Sequence, residues 1–104
     1  MTLRSTTIEQ VPAADWNRWV TQRRGVVLDV REPIEWQTTG VLPDSRLISL
    51  AELPAALDRL DRDTPILVVC RSGNRSQQAA EFLSRRGFRQ VANLAGGLAA
   101  LGAA

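Results

Sequence analysis

Short apolar runs alternate with stretches of helical periodicity from one end of the chain to the other. Runs over 6–8, 26–30, 46–49, 66–70 and 90–93 read as strands, and the stretches over 12–22, 33–38, 53–60, 76–86 and 98–101 read as helices. Pro12 and Pro33 stand where first-turn prolines belong, and Arg86-Gly87 supplies the basic residue and glycine that close a helix. Trp16, Trp19 and Val20 form a core-facing stripe on the first helix, as do Ala79, Ala80, Phe82 and Leu83 on the fourth. Trp36 is the aromatic better placed to line a pocket, although packing is the simpler reading for it too. The alternation predicts an α/β fold, with one central, mainly parallel five-stranded sheet flanked by helices in three layers. At 104 residues there is room for a single domain, 1–104, and one core. Ligands of such sheets collect at the carboxyl ends of the strands.

The apolar run 66–70 delivers the chain's one thiol into the polar loop Cys70-Arg71-Ser72-Gly73-Asn74-Arg75-Ser76. An unpaired cysteine ending a strand is ordinarily core. Two arginines, an asparagine and two hydroxyls crowded beside it point instead to chemistry. Gly73 permits a turn of positive φ, Ser76 is expected to cap a helix beginning at Gln77, and the loop amides then surround a concavity that favours negative charge. A thiolate at its rim gains from the helix terminus and from Arg71 and Arg75, which lowers its pKa below the usual value of about 8.5. Asp29-Val30-Arg31-Glu32-Pro33 reaches the same sheet edge. There Asp29 is expected to accept hydrogen bonds from Arg75 or from loop amides, and Arg31 to pair with Glu32, both in support of the loop.

Composition narrows the chemistry. One cysteine allows no internal disulfide and supplies no resolving thiol. With no histidine, neither a zinc or haem site nor a Cys-His nucleophile is expected, so no metal and no cofactor is assigned. All 13 basic residues are arginine, which excludes lysine Schiff-base chemistry. The pI of about 9.9 accompanies a net charge of only +2, with acidic residues interspersed, so no basic stripe awaits a nucleic acid. No apolar run is long enough to cross a membrane and Met1-Thr2-Leu3-Arg4-Ser5 lacks a leader's apolar segment, so a cytoplasmic location is expected.

Leu28-Asp29-Val30-Arg31-Glu32-Pro33 with Glu35-Trp36, Gly40-Val41-Leu42-Pro43, the Cys70–Ser76 loop, Ala79-Ala80-Glu81-Phe82-Leu83 with Gly87-Phe88, and Asn93-Leu94-Ala95-Gly96-Gly97 stand in a familiar order and spacing. In these the chain resembles the single-domain rhodanese (thiosulfate sulfurtransferase) family over nearly its whole length. The resemblance implies a rhodanese-like three-layer sandwich and a Cys70 persulfide surrounded by loop amides. It implies transfer of a sulfane sulfur from thiosulfate or a similar small anionic donor to cyanide or a thiol, a protein thiol included. Arg71, Ser72, Gly73, Asn74, Arg75 and Ser76 would bind the donor, with Arg75 favoured for direct contact. The chain departs from the family at Gly40-Val41-Leu42-Pro43-Asp44-Ser45, where Gly-His-Ile-Pro-Gly-Ala is usual, and at Leu101, where tryptophan is usual. A short continuation past Ala104 is also expected from the family. Two other functions share a reactive cysteine: a persulfide carrier or sensing module serving a protein partner, and a cysteine phosphatase or arsenate reductase. Four residues separate Cys70 from Arg75, whereas cysteine phosphatases use five, and the tighter ring suits one sulfur atom.

Overall fold

The computed structural model describes residues 7–102. Strand β1 (Glu9–Pro12), helix α1 (Trp16–Arg23), β2 (Val26–Asp29), α2 (Pro33–Thr39), β3 (Arg46–Leu47), β4 (Ile66–Val69), α3 (Asn74–Arg85) and β5 (Val91–Ala95) follow in turn, with 3-10 segments at Ala13–Asp15, Leu53–Arg59 and Leu98–Leu101. The five strands form one sheet in the order β1-β5-β4-β2-β3, parallel at every pairing. The register runs Val26 to Ile66 through Asp29 to Val69 between β2 and β4.

Both faces of the central strands are covered, which is why their sequences read as unbroken apolar runs. Leu28, Val30, Ile66, Val68 and Cys70 face one layer, where Ala79, Ala80 and Leu83 of α3 pack with Leu53 and Ala56. Val27, Leu67, Val69 and Leu94 face the other, against Trp19 of α1 and Leu98. The two stripes expected on the first and fourth helices both point inward. Truncating fully buried Leu83 to alanine removes about 2–5 kcal/mol by the usual cavity scale. Leu101 packs against the second cluster.

Several boundaries differ from the sequence pattern. Residue 6 of the first expected strand lies outside the described residues, and Thr7 and Ile8 precede β1, which begins at Glu9. Pro12 ends that strand instead of opening a helix; β1 lies at the sheet edge, where a missing N–H breaks no ladder. Residues 53–59 wind as a 3-10 segment, with buried Leu53 and Ala56 eclipsed three residues apart. Helix α3 starts at Asn74 behind Gly73, so Ser76 lies inside the first turn and caps nothing. Pro33 does open α2, behind a capping box in which Glu32 and Glu35 satisfy each other's backbone N–H. Among the described residues no helix is long and apolar enough to cross a membrane.

Candidate active site

From β2 the chain steps outward to β3, and from β4 it steps the other way to β5. The crevice between the carboxyl ends of β2 and β4 is therefore the topological switch point of the sheet. Cys70 is the first residue past β4, and Val30 N–H holds the two strand ends together through the Val69 carbonyl at 3.1 Å. Gly73, at φ 103°, then turns the chain back so that α3 begins immediately behind the thiol.

Cys70 is 1% exposed and its sulfur is closely surrounded. Gly73 N–H donates to it at 3.1 Å, Ser76 N–H donates at 3.3 Å, and the Ser76 hydroxyl lies 3.2 Å away. Burial raises the thiol pKa, but hydrogen bonds from Ser76, Gly73 and Ser72 outweigh it and leave the pKa below its ordinary value. The twelve-residue helix behind the loop adds its positive end.

A layer of contacts from the far end of the chain backs the loop. Leu98 N–H donates to the Cys70 carbonyl at 2.8 Å and Ala99 N–H to the Arg71 carbonyl at 2.9 Å. Gly97, at φ 66° and ψ −168°, passes so close that a Cβ there would lie 2.3 Å from the Arg71 carbonyl oxygen. This explains the second glycine in Asn93-Leu94-Ala95-Gly96-Gly97, and the first sits at a positive φ of 76°.

The charged residues are arranged differently from the sequence reading. Asp29 does not meet Arg75; its carboxylate, fully buried, is clasped by Arg31 through Nε and Nη2 at 2.8–3.1 Å and by the Arg31 backbone N–H at 3.0 Å. Nor does Arg31 pair with Glu32. Its guanidinium goes on to Thr39 Oγ1 and the Gly40 carbonyl, which ties the end of α2 to the end of β2. Arg75 makes a two-pronged pair with Glu35 of α2 at 2.7 and 2.9 Å, and Arg75 holds that carboxyl down at about 2. Arg71, Ser72 and Asn74 are exposed.

Beside the loop lies a cleft of about 270 Å³, lined by Ile34, Glu35, Thr38 and Thr39 of α2 with Arg31, Arg71 and Leu98. Trp36 is not among its walls. Three side chains that brace the loop were given no role in the sequence reading: Glu35, Asn93 and Gln10. Asn93 accepts from the Ser76 hydroxyl and donates to Gln10 and to the Gly73 carbonyl. The strand order, which seats β5 beside β4 and β1 beside β5, brings Asn93 and Gln10 to the loop, and α2 brings Glu35.

The family model for the rhodanese-like domain matches residues 13–104. The chain belongs to the rhodanese-like domain family. Among proteins similar to this rhodanese-like domain is a sulfurtransferase of Allochromatium vinosum, 33% identical over 75 residues that take in 72% of this chain and 69% of that one. A tRNA uridine(34) hydroxylase of Pelagibacter ubique is 33% identical over 87 residues, 80% of this chain, but the match spans only 28% of that longer protein. Among solved structures, a rhodanese-related protein of Thermoplasma volcanium superposes with a TM-score of 0.77 at 36% identity, covering 86% of each chain. The family is thus one of sulfurtransferase-type enzymes, and its fold is the one described above.

Proposed function

We propose that this protein is a thiosulfate sulfurtransferase working through a persulfide on Cys70. The observation that carries this reading is the sulfur of Cys70 accepting two backbone N–H groups at the head of α3, in the switch-point crevice. The Cys70 thiolate attacks the outer sulfur of thiosulfate; the S–S bond breaks and sulfite leaves with its electron pair. A thiolate or cyanide then attacks the terminal sulfur of the persulfide, and the Cys70 thiolate is the leaving group. The loop amides stabilise the charge on sulfur in both halves, a type of donor whose removal costs about a hundredfold or more in rate. Arg75 is engaged by Glu35, which leaves exposed Arg71, at the cleft, to draw in the anionic donor. Because the chain has a single cysteine, the acceptor comes from outside it.

An acceptor larger than cyanide, such as the protein thiol a persulfide carrier would serve, has room at the cleft of about 270 Å³, with exposed Ile34 on its wall.

Thiocyanate formation from thiosulfate and cyanide, measured in parallel for the native protein and Cys70→Ser, is the deciding assay. Activity confined to the native chain is expected. Turnover surviving in Cys70→Ser overturns the mechanism.

A further inference from the structure

Hydrogen counting around Cys70 reveals a constraint on its proton. The Gly73 and Ile8 carbonyls are backbone groups and only accept. Asn93 Nδ2 donates to the Gly73 carbonyl at 3.2 Å, and Gln10 Nε2 donates to the Ile8 carbonyl at 3.2 Å. These anchors fix both amides. The second Asn93 hydrogen goes to Gln10 Oε1 at 2.9 Å and the second Gln10 hydrogen to Gln77 Oε1 at 2.7 Å; turning Asn93 over would set its oxygen against the Gly73 carbonyl and Gln10 Oε1, and turning Gln10 over would set its oxygen against the Ile8 carbonyl and its donor against Asn93 Nδ2.

With its amide so fixed, Asn93 presents Oδ1 to the Ser76 hydroxyl at 2.5 Å. That oxygen has no hydrogen, so the single hydroxyl hydrogen of Ser76 lies on this contact. What Ser76 Oγ shows to the sulfur, 3.2 Å away, is a lone pair. The arrangement suits a protonated thiol donating S–H to Ser76. A thiolate keeps the Gly73 and Ser76 backbone N–H groups but lacks the hydroxyl hydrogen until Ser76 turns to it.

We propose that Asn93 is a positioning residue that holds the Ser76 hydroxyl hydrogen away from Cys70, so that the thiolate gains that hydrogen bond only when Ser76 turns and gives up Asn93. This rests on the reading of the Cys70 thiolate as nucleophile. On ionisation the proton leaves the sulfur for water, since the side-chain network reaches the Glu81 carboxylate only through the amides of Asn93, Gln10 and Gln77, and amides relay no proton. The Gly73 and Ser76 backbone N–H groups favour the anion throughout; Asn93 acts as a brake on them. Both Asn93 and Ser76 are at least 97% buried. The charged groups around the site are Arg71 on the loop, Arg75 paired with Glu35, Glu32 at the head of α2, and Asp29 paired with Arg31. None of them touches Asn93.

The test follows the thiol itself, without sulfur transfer, so it succeeds or fails independently of the proposed activity. With one cysteine and no tyrosine in the chain, the pH-dependent ultraviolet absorbance of a thiolate reports Cys70 alone. Titrations compare the native protein, Asn93→Leu, Ser76→Ala and the double variant. Asn93→Leu is expected to lower the midpoint by about one pH unit, roughly tenfold more thiolate at a fixed pH below it. In the Ser76→Ala background the same substitution is expected to have little effect, because no hydroxyl is left to release. A midpoint unchanged or raised by Asn93→Leu, or lowered equally in both backgrounds, overturns the proposal. Should Asn93→Leu fail to fold, the infrared S–H stretch of the native protein decides. A band at the lowered frequency of a donating S–H, moving up in Ser76→Ala, supports the assignment; a native band at the frequency of a free S–H overturns it.

Discussion

Glu35 and Arg75 lie forty residues apart in sequence and close on each other across α2 and α3. The pair neutralises the cation that the loop would otherwise aim at an incoming anion. Replacing Glu35 with Gln is therefore expected to release Arg75 toward Cys70, lowering both the thiolate midpoint and the KM for thiosulfate while reducing stability. The pair is partly exposed, so the stability loss stays under about 1 kcal/mol. Its pH dependence has a definite sign. Folding depresses the Glu35 pKa from the usual value of about 4.3 to about 2, so the contribution is fully present above the unfolded value and disappears as pH falls through about 2. Urea titrations of both chains between neutral pH and pH 2 check this: the difference in stability should be constant above about pH 5 and vanish at the acid end. At this scale the sequence announced Cys70 and its loop, because strand, thiol, glycine and polar neighbours are contiguous. Glu35, Asn93 and Gln10 were illegible because each meets its partner only through the fold.

Among the elements, the 3-10 segment Leu98–Leu101 bears directly on the site, since its amides hold the outer side of the Cys70 loop. Gly97 makes the approach possible. Its φ and ψ fall in a region essentially restricted to glycine, and a methyl group would drive into Arg71. Gly97→Ala is expected to cost about 2–4 kcal/mol by backbone strain and overpacking together, and to lower thiosulfate turnover at temperatures where the variant remains folded. Thermal melts followed by assays below the transition separate the two effects. The elements were legible in kind and imprecise at their ends. Apolar periodicity located each core-facing stripe, but hydrogen bonding chose the boundaries: Gly73 starts α3 ahead of Ser76, and buried Leu53 and Ala56 suit a tighter winding than the expected helix.

For the molecule as a whole, the parallel sheet and its two covered faces followed directly from unbroken apolar runs separated by helical stretches. The strand order did not, and it is the order that sets the β2 and β4 ends side by side. Between them the fold accepts one closed charge pair, Asp29 with Arg31, both nearly inaccessible. Asp29→Ala would leave that guanidinium unpaired in the interior, at about 3–5 kcal/mol. Against a total of about 5–15 kcal/mol for an ordinary domain, this is a large fraction. A urea midpoint falling by about a fifth or more, with an unchanged slope, is the expected result.

The contacts from Leu98 and Ala99 to the loop carbonyls also impose an order in time. During synthesis Cys70 and the residues around it emerge well before Gly97 and Leu98 do. Until that later segment arrives, the nascent chain bears a thiol whose loop has no outer support. A product interrupted between Cys70 and Gly97 keeps the cysteine but lacks the amides that back its loop, so its thiol is never seated as in the finished fold.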